Sequence, residues 1–176
     1  IKKAKEMGVY VVAADGDPNA VGLKLADKPI VVNITSEEDV LRVAREEQVD
    51  GVVQPCSEVR MNVMGRINDE LGLRGISRAT AIRATNKHLM REAFEKYGAP
   101  SPKSMCFTDV EVAWGAFCTD FTGACILKPS RNSGSRGIAK ISADIKMDEF
   151  ARLFEISKNE SRDNSVMLEQ FVEGPE

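Results

Sequence analysis

Short apolar runs alternate with amphipathic stretches along the first half of the chain. Val9 to Ala13, Ile30 to Ile34 and Gly51 to Gln54 are rich in Val, Ile or Ala and too short for helices, so each is expected as a strand. Runs apolar at successive positions, without alternation, predict a sheet buried on both faces. Helical patterning separates them. Ser36 with Asp39 three residues on makes a capping-box-like start, and Val40, Val43 and Ala44 follow on one helical face. Glu58 to Leu71 repeats that spacing through Val59, Val63, Met64 and Ile67. The order predicts βαβ units with right-handed crossovers. A doubly wound sheet opens on a strand, whereas this chain begins in the helical stretch Ile1 to Met7, so the first strand is expected to be missing.

From about Ile76 the pattern changes. Ser77 is placed to cap a short helix to Ala84, and Asn86 a longer one from Lys87 to Tyr97 that closes at Gly98. Pro100 and Pro102 force an extended segment into Lys103 to Phe107, after which Thr108 is placed to cap a helix through Val110, Ala113, Trp114 and Phe117. Ala124 to Lys128 and Gly137 to Ser142 are expected as strands flanking a polar loop. Met147, Phe150, Ala151 and Phe154 mark another amphipathic helix, and Val166 to Leu168 a last strand. The expected domains are residues 1–84 and 85–176. A length of 176 residues fits such a pair of small domains, given about 150 residues for a typical domain.

Composition excludes some classes. With 24 basic against 27 acidic residues the net charge is −3, and 43% of positions are hydrophobic, which is ordinary globular composition and argues against bulk nucleic-acid binding. Cys56, Cys106, Cys118 and Cys125 stand far apart, and His88 is the one histidine, so zinc-ligand spacing is absent and no metal ligand is assigned. Reduced thiols, no apolar run of about 18 residues and no signal-peptide core point to a cytoplasmic protein with no membrane partner.

Charge distribution is more informative than its sum. Between Phe121 and Ala143 there is no acid, while Lys128, Arg131, Arg136 and Lys140 all fall there. An anion belongs beside such a segment. Ser133-Gly134-Ser135, small residues between two strands, let successive backbone N–H groups converge on phosphate oxygens. Strand alternation puts Ile126 and Lys128 on one face, an apolar surface beside an ammonium. The plain alternative is a solvated hairpin loop. Lys87, directly after its cap, sits against the positive end of a helix, where an anion would relieve it. From Asn164 to Glu176 there are three glutamates, Glu169, Glu173 and Glu176, and no base. Carboxylates in such a strip can accept from an adenine amino group or ribose hydroxyls.

In this order, Asn86-Lys87, Ile126-Leu127-Lys128-Pro129, Ser133-Gly134-Ser135-Arg136-Gly137 and the hinge Glu169-Gln170-Phe171-Val172-Glu173-Gly174-Pro175-Glu176 resemble the ATP-grasp superfamily. The likeness covers essentially the whole chain and is most specific at the hinge. It implies an α/β fold, in which a Rossmann-like pre-ATP-grasp domain lacking its first strand precedes the N-terminal part of an ATP-grasp domain with its α+β lid. It also implies the roles. Lys87 and Lys128 would bind ATP phosphates, and Ser133, Gly134 and Ser135 would close over them through backbone N–H groups. Glu169 would meet the adenine amino group, Gln170 and Val172 would offer main-chain hydrogen bonds to the purine, Phe171 and Ile126 would pack nearby, and Glu176 would hold the ribose. Ser57 and Glu58, after the third apolar run, are candidates for the substrate site.

The implied activity is a ligase, similar to carbamoyl phosphate synthetase, in which ATP with Mg²⁺ activates a carboxylate as an acyl phosphate for an amine or similar nucleophile. Small-molecule carboxylate and amine substrates, and a homodimer, are the implied partners. In the family the Mg²⁺ ligands and catalytic Arg lie further on than Glu176, so no catalytic residue is assigned and the chain alone is expected to be inactive. The alternatives are a non-catalytic Rossmann-like nucleotide- or ligand-binding module, with Asp15 on a ribose, and a degenerate ATP-grasp subunit.

Overall fold

A computed structural model describes residues 1–54 and 58–174. It divides into two compact units, Ile1–Ile82 and Arg83–Glu176.

In the first unit, α1 (Lys2–Glu6) leads to β1 (Val12–Asp15), α2 (Val21–Leu25) and β2 (Lys28–Val31). The two strands run parallel, with Val12 opposite Lys28 and Asp15 opposite Val31. Asp27 fixes where pairing begins: its carboxylate accepts the Val11 N–H at 2.9 Å, and the Asp27 and Lys28 N–H groups both donate to the Val11 carbonyl. The strands therefore lie elsewhere along their runs than the apolar pattern predicts, and Val9 and Tyr10 stay exposed. Helices α3 (Glu37–Glu46) and α4 (Met61–Leu71) pack through Leu41, Ala44, Val63 and Ile67. Ser36 caps α3 by accepting the Asp39 N–H, as its sequence predicts. A short 3₁₀ turn, Glu58–Arg60, precedes α4, and α5 (Arg78–Thr85) follows it.

Two expectations are corrected here. Gly51 to Gln54 forms no strand, because strand structure needs a hydrogen-bonded neighbour and none of the described residues supplies one. Nor is the parallel sheet buried on both faces. Val31 is 58% exposed, and Val53 in the unpaired run is 84% exposed, since among the described residues the sheet has only two strands.

The second unit is one antiparallel sheet with two helices on one face. Its elements are α6 (Lys87–Lys96), β3 (Ser104–Phe107), α7 (Val110–Asp120), β4 (Cys125–Pro129), β5 (Ala139–Ile141), α8 (Met147–Glu160) and β6 (Val166–Gln170). The strand order is β3-β6-β4-β5, so the last of these strands in sequence is a central one. Asn86 caps α6 through the Leu89 N–H. At α7 the cap is Asp109 rather than Thr108, because its carboxylate accepts from both Glu111 and Val112 at 2.9 Å, a stronger arrangement than one hydroxyl offers. The core lies between α7, α8 and the inner sheet face. Phe117, Phe150 and Phe154 meet Cys125, Leu127, Ile141, Val166 and Leu168 there, with Trp114 edge-on to Phe150 at 5.2 Å between ring centroids. Each fully buried Phe contributes about 1.5–3 kcal/mol, as do the buried Leu, Ile and Val side chains it packs against, so the layer as a whole supplies much of the unit's stability.

Burial also orders the thiols. It pushes the Cys106 and Cys125 thiols above the usual cysteine range, whereas Cys118 is exposed on α7. Since the thiolate is the reactive form, iodoacetamide at neutral pH is expected to alkylate Cys118 well before Cys106 or Cys125, and peptide mass mapping after brief labelling will read that order.

Candidate functional site

Alternation along β4 decides which side chains are available. Cys125, Leu127 and Pro129 are buried against the helices, which leaves Ile126 and Lys128 on the other face. Register then builds a cross-strand row on that face. Ser104 of β3 lies opposite Glu169 of β6, Glu169 opposite Ile126, and Ile126 opposite Lys140 of β5. The adjoining row holds Cys106, Met167 and Lys128.

The chemistry of this face centres on Glu169, which is only 7% exposed. Lys128 Nζ donates to its Oε1 at 2.5 Å, and Arg91 Nε on α6 donates to its Oε2 at 2.8 Å. A buried carboxylate with a cation on each oxygen is an acceptor-only group held in one orientation. Arg91 is a residue the sequence reasoning missed. Its partner is 78 positions away, and the available signals were an acid inside the apolar strand Val166–Gln170 and the Lys87/Arg91 spacing on one helical face.

At the far end of β4 the loop is organised by a second missed residue, Asn132. Lys87 Nζ donates to its carbonyl at 2.7 Å, which brings the lysine that opens α6 to the Ser/Gly loop. The α6 start is also tied to the strand end, since the Lys87 N–H donates to the Ser130 carbonyl and the Ser130 hydroxyl to Asn86 Oδ1. Asn132 Oδ1 accepts from the Ser133 N–H at 2.8 Å and from Arg136 at 3.1 Å, while its amide donates to Glu160. Ser133 thus spends its N–H inside the loop. Gly134 and Ser135 follow with φ of +78° and +55°, exposed at the tip.

The hinge leaves the sheet beside Lys140, whose Nζ lies 3.5 Å from the centroid of the half-buried Phe171 ring. The Phe171 N–H donates to the Ala124 carbonyl and the Gln170 N–H to that of Lys103, so what Gln170 can offer a purine is its carbonyl. Val172 is exposed. Lys87, Ile126, Lys128, Ser133, Gly134, Ser135, Glu169, Gln170, Phe171 and Val172 all belong to the second unit. Glu58 is exposed in the first, and Ser57 and Glu176 lie outside the described residues. Asp15 accepts the Asp17 N–H and Asp17 that of Asn19, so this acidic turn is closed by its own carboxylates. Among the described residues no group of three or more His, Cys, Asp or Glu side chains could hold a metal ion, and no helix is long and apolar enough to cross a membrane.

The chain has the mixed α/β fold of the N-terminal portion of ATP-grasp proteins, and the expected resemblance to that superfamily is borne out. No family model matches it. Among curated proteins it is similar to the formate-dependent phosphoribosylglycinamide formyltransferases of Methanocella arvoryzae, at 25% identity over 97% of the chain and 39% of that protein, and of Nitratiruptor sp., at 28% identity over 97% and 44%. Among solved structures, phosphoribosylglycinamide synthetase from Anaerococcus prevotii matches 98% of the chain and 42% of its own length, with 25% identity and a TM-score of 0.67. The biotin carboxylase domain of Hydrogenobacter thermophilus 2-oxoglutarate carboxylase, solved with MgADP, ADP and bicarbonate, shares the fold over 98% of the chain and 41% of that domain, with a TM-score of 0.78 at 21% identity. The chain therefore spans well under half the length of these relatives.

Proposed function

We propose that this chain is the front part of an ATP-dependent ligase, supplying the lid and hinge that hold ATP while a carboxylate is activated as an acyl phosphate and passed to an amine. One observation carries the reading: Lys128 and Glu169 meet on the sheet face opposite the aromatic core, between an acid-free loop and the Phe171 hinge. The expected division of labour follows from charge and shape. Lys128 and Lys87 are cations for the phosphates, Glu169 accepts from the adenine amino group, and Ile126 and Phe171 offer apolar walls. The loop need not donate from every position. With Ser133 committed to Asn132, Gly134 and Ser135 at the exposed tip are the residues placed to turn N–H groups outward.

Mg²⁺ does not fit the described residues, among which no group of three or more His, Cys, Asp or Glu side chains could hold it. Relatives named for formate and a neighbour solved with bicarbonate favour a small one-carbon acid as the carboxylate. Within that class a carbamoyl phosphate synthetase-like reaction is a finer reading, since it too activates a one-carbon acid.

Titrating ADP at millimolar concentration into the ¹⁵N-labelled chain tests the site. Shifts are expected in the amides of Gly134, Ser135, Arg136, Phe171 and Val172, and Lys128→Met is expected to weaken binding by about tenfold, the loss of one strong charge-assisted contact. Shifts confined to Asp15–Asp17 would instead favour a Rossmann-like binding module.

A further inference from the structure

The Glu169 carboxylate has two cationic partners, and the proposed nucleotide site needs one of them elsewhere. Lys128 lies on the sheet face that leads to the Ser/Gly loop, whereas Arg91 approaches Glu169 from α6 and has its guanidinium 5.7 Å from the Phe94 ring centroid. If Lys128 turns to a phosphate with no other cation present, Glu169 is left as a buried carboxylate without a compensating partner. Without a partner on Oε2 the carboxylate is also free to turn, and it would no longer hold a fixed acceptor towards the base that tells an amino group from a carbonyl oxygen.

We infer that Arg91 is a positioning residue that serves as the standing counter-ion of Glu169, so that Lys128 is free to move to an anionic ligand while Glu169 keeps its orientation and selects a base bearing an amino donor. The inference rests on the nucleotide reading above and deepens it. Arg91 suits this task because a guanidinium does not lose its charge at any ordinary pH. Its Nε contact at 2.8 Å leaves Oε1 for the exchange between Lys128 and the base. Both side chains are mostly buried, at 19% and 9% exposure, so the pair is shielded from solvent screening.

ADP and inosine diphosphate differ at the relevant position by an amino group against a carbonyl oxygen, and NMR titration of the chain with each gives the ratio of their dissociation constants. Wild type is expected to favour ADP by about tenfold or more, Arg91→Met to bring the ratio to within about threefold of one, and Arg91→Lys to restore it, because a missing or mismatched buried hydrogen bond is what sets such ratios. A merely structural role would weaken both nucleotides alike. A ratio unchanged in Arg91→Met overturns the inference and leaves the nucleotide reading standing, as does a wild type that binds both equally well. A wild type that binds neither overturns both. Should Arg91→Met fail to fold by far-UV circular dichroism, a crystal structure of the wild type with ADP decides. Lys128 on phosphate with Arg91 still on Glu169 supports the inference, and the reverse exchange overturns it.

Discussion

Glu169→Ala is expected to destabilise the chain by about 3–5 kcal/mol, the cost of breaking a buried ion pair by removing one partner. The reason is the arrangement on either side. With the carboxylate gone, the Lys128 ammonium and the Arg91 guanidinium, 15% and 19% exposed, face each other with nothing between them. Each then carries a desolvation penalty without its Coulombic return, and each repels the other. Glu169→Gln keeps the shape and one acceptor, so it should lose less than the alanine variant while still losing ADP binding. Urea denaturation followed by circular dichroism measures the first effect. A third variant, Lys128→Met combined with Glu169→Gln, should recover part of the loss, because a pair removed together leaves less unpaired charge than either removed alone.

Gly137→Ala should be nearly as damaging, at about 2–5 kcal/mol, for a different reason. Gly137 has φ of +68°, where a β-carbon meets its own backbone. A β-carbon built there would also lie 2.9 Å from Glu160 Cβ and 3.1 Å from Pro129 Cγ, which places the crowding against α8 on one side and β4 on the other. The Gly137 carbonyl meanwhile accepts the buried Ser157 hydroxyl, so the residue cannot simply swing out. Gly134→Ala is the control: its φ is +78°, but nothing lies within 4 Å of the added carbon, so only the backbone term of about 1–2 kcal/mol applies. Comparing the two by urea denaturation separates crowding from backbone strain.

These sites show what a sequence carries and what it does not. The second unit was legible almost element by element, since Asn86, Pro102 and the Met147–Phe154 spacing are local signals and the structure places helices and strands beside them. The alternation that put Ile126 and Lys128 on one face was equally local. In the first unit the Gly51–Gln54 run had the composition of a strand without a partner among the described residues, and composition cannot reveal whether a neighbour exists. Asn132 and Arg91 escaped for a related reason. Asn132 reads as one more loop residue until Lys87, Arg136 and Glu160 are seen to converge on it, and Arg91 as one more helix cation until Glu169 arrives from far along the chain.

The position of β6 has a consequence for how the second unit comes to exist. It pairs with β3 on one side and β4 on the other, yet it is the last of the four strands to be made. During synthesis β4 and β5 can close as a local hairpin-like pair, but β3 has no neighbour until residues 166–170 have left the ribosome. The sheet therefore assembles by insertion of its final strand into a waiting gap, a non-local step that is slow by nature and leaves the β3 and β4 edges open in the meantime.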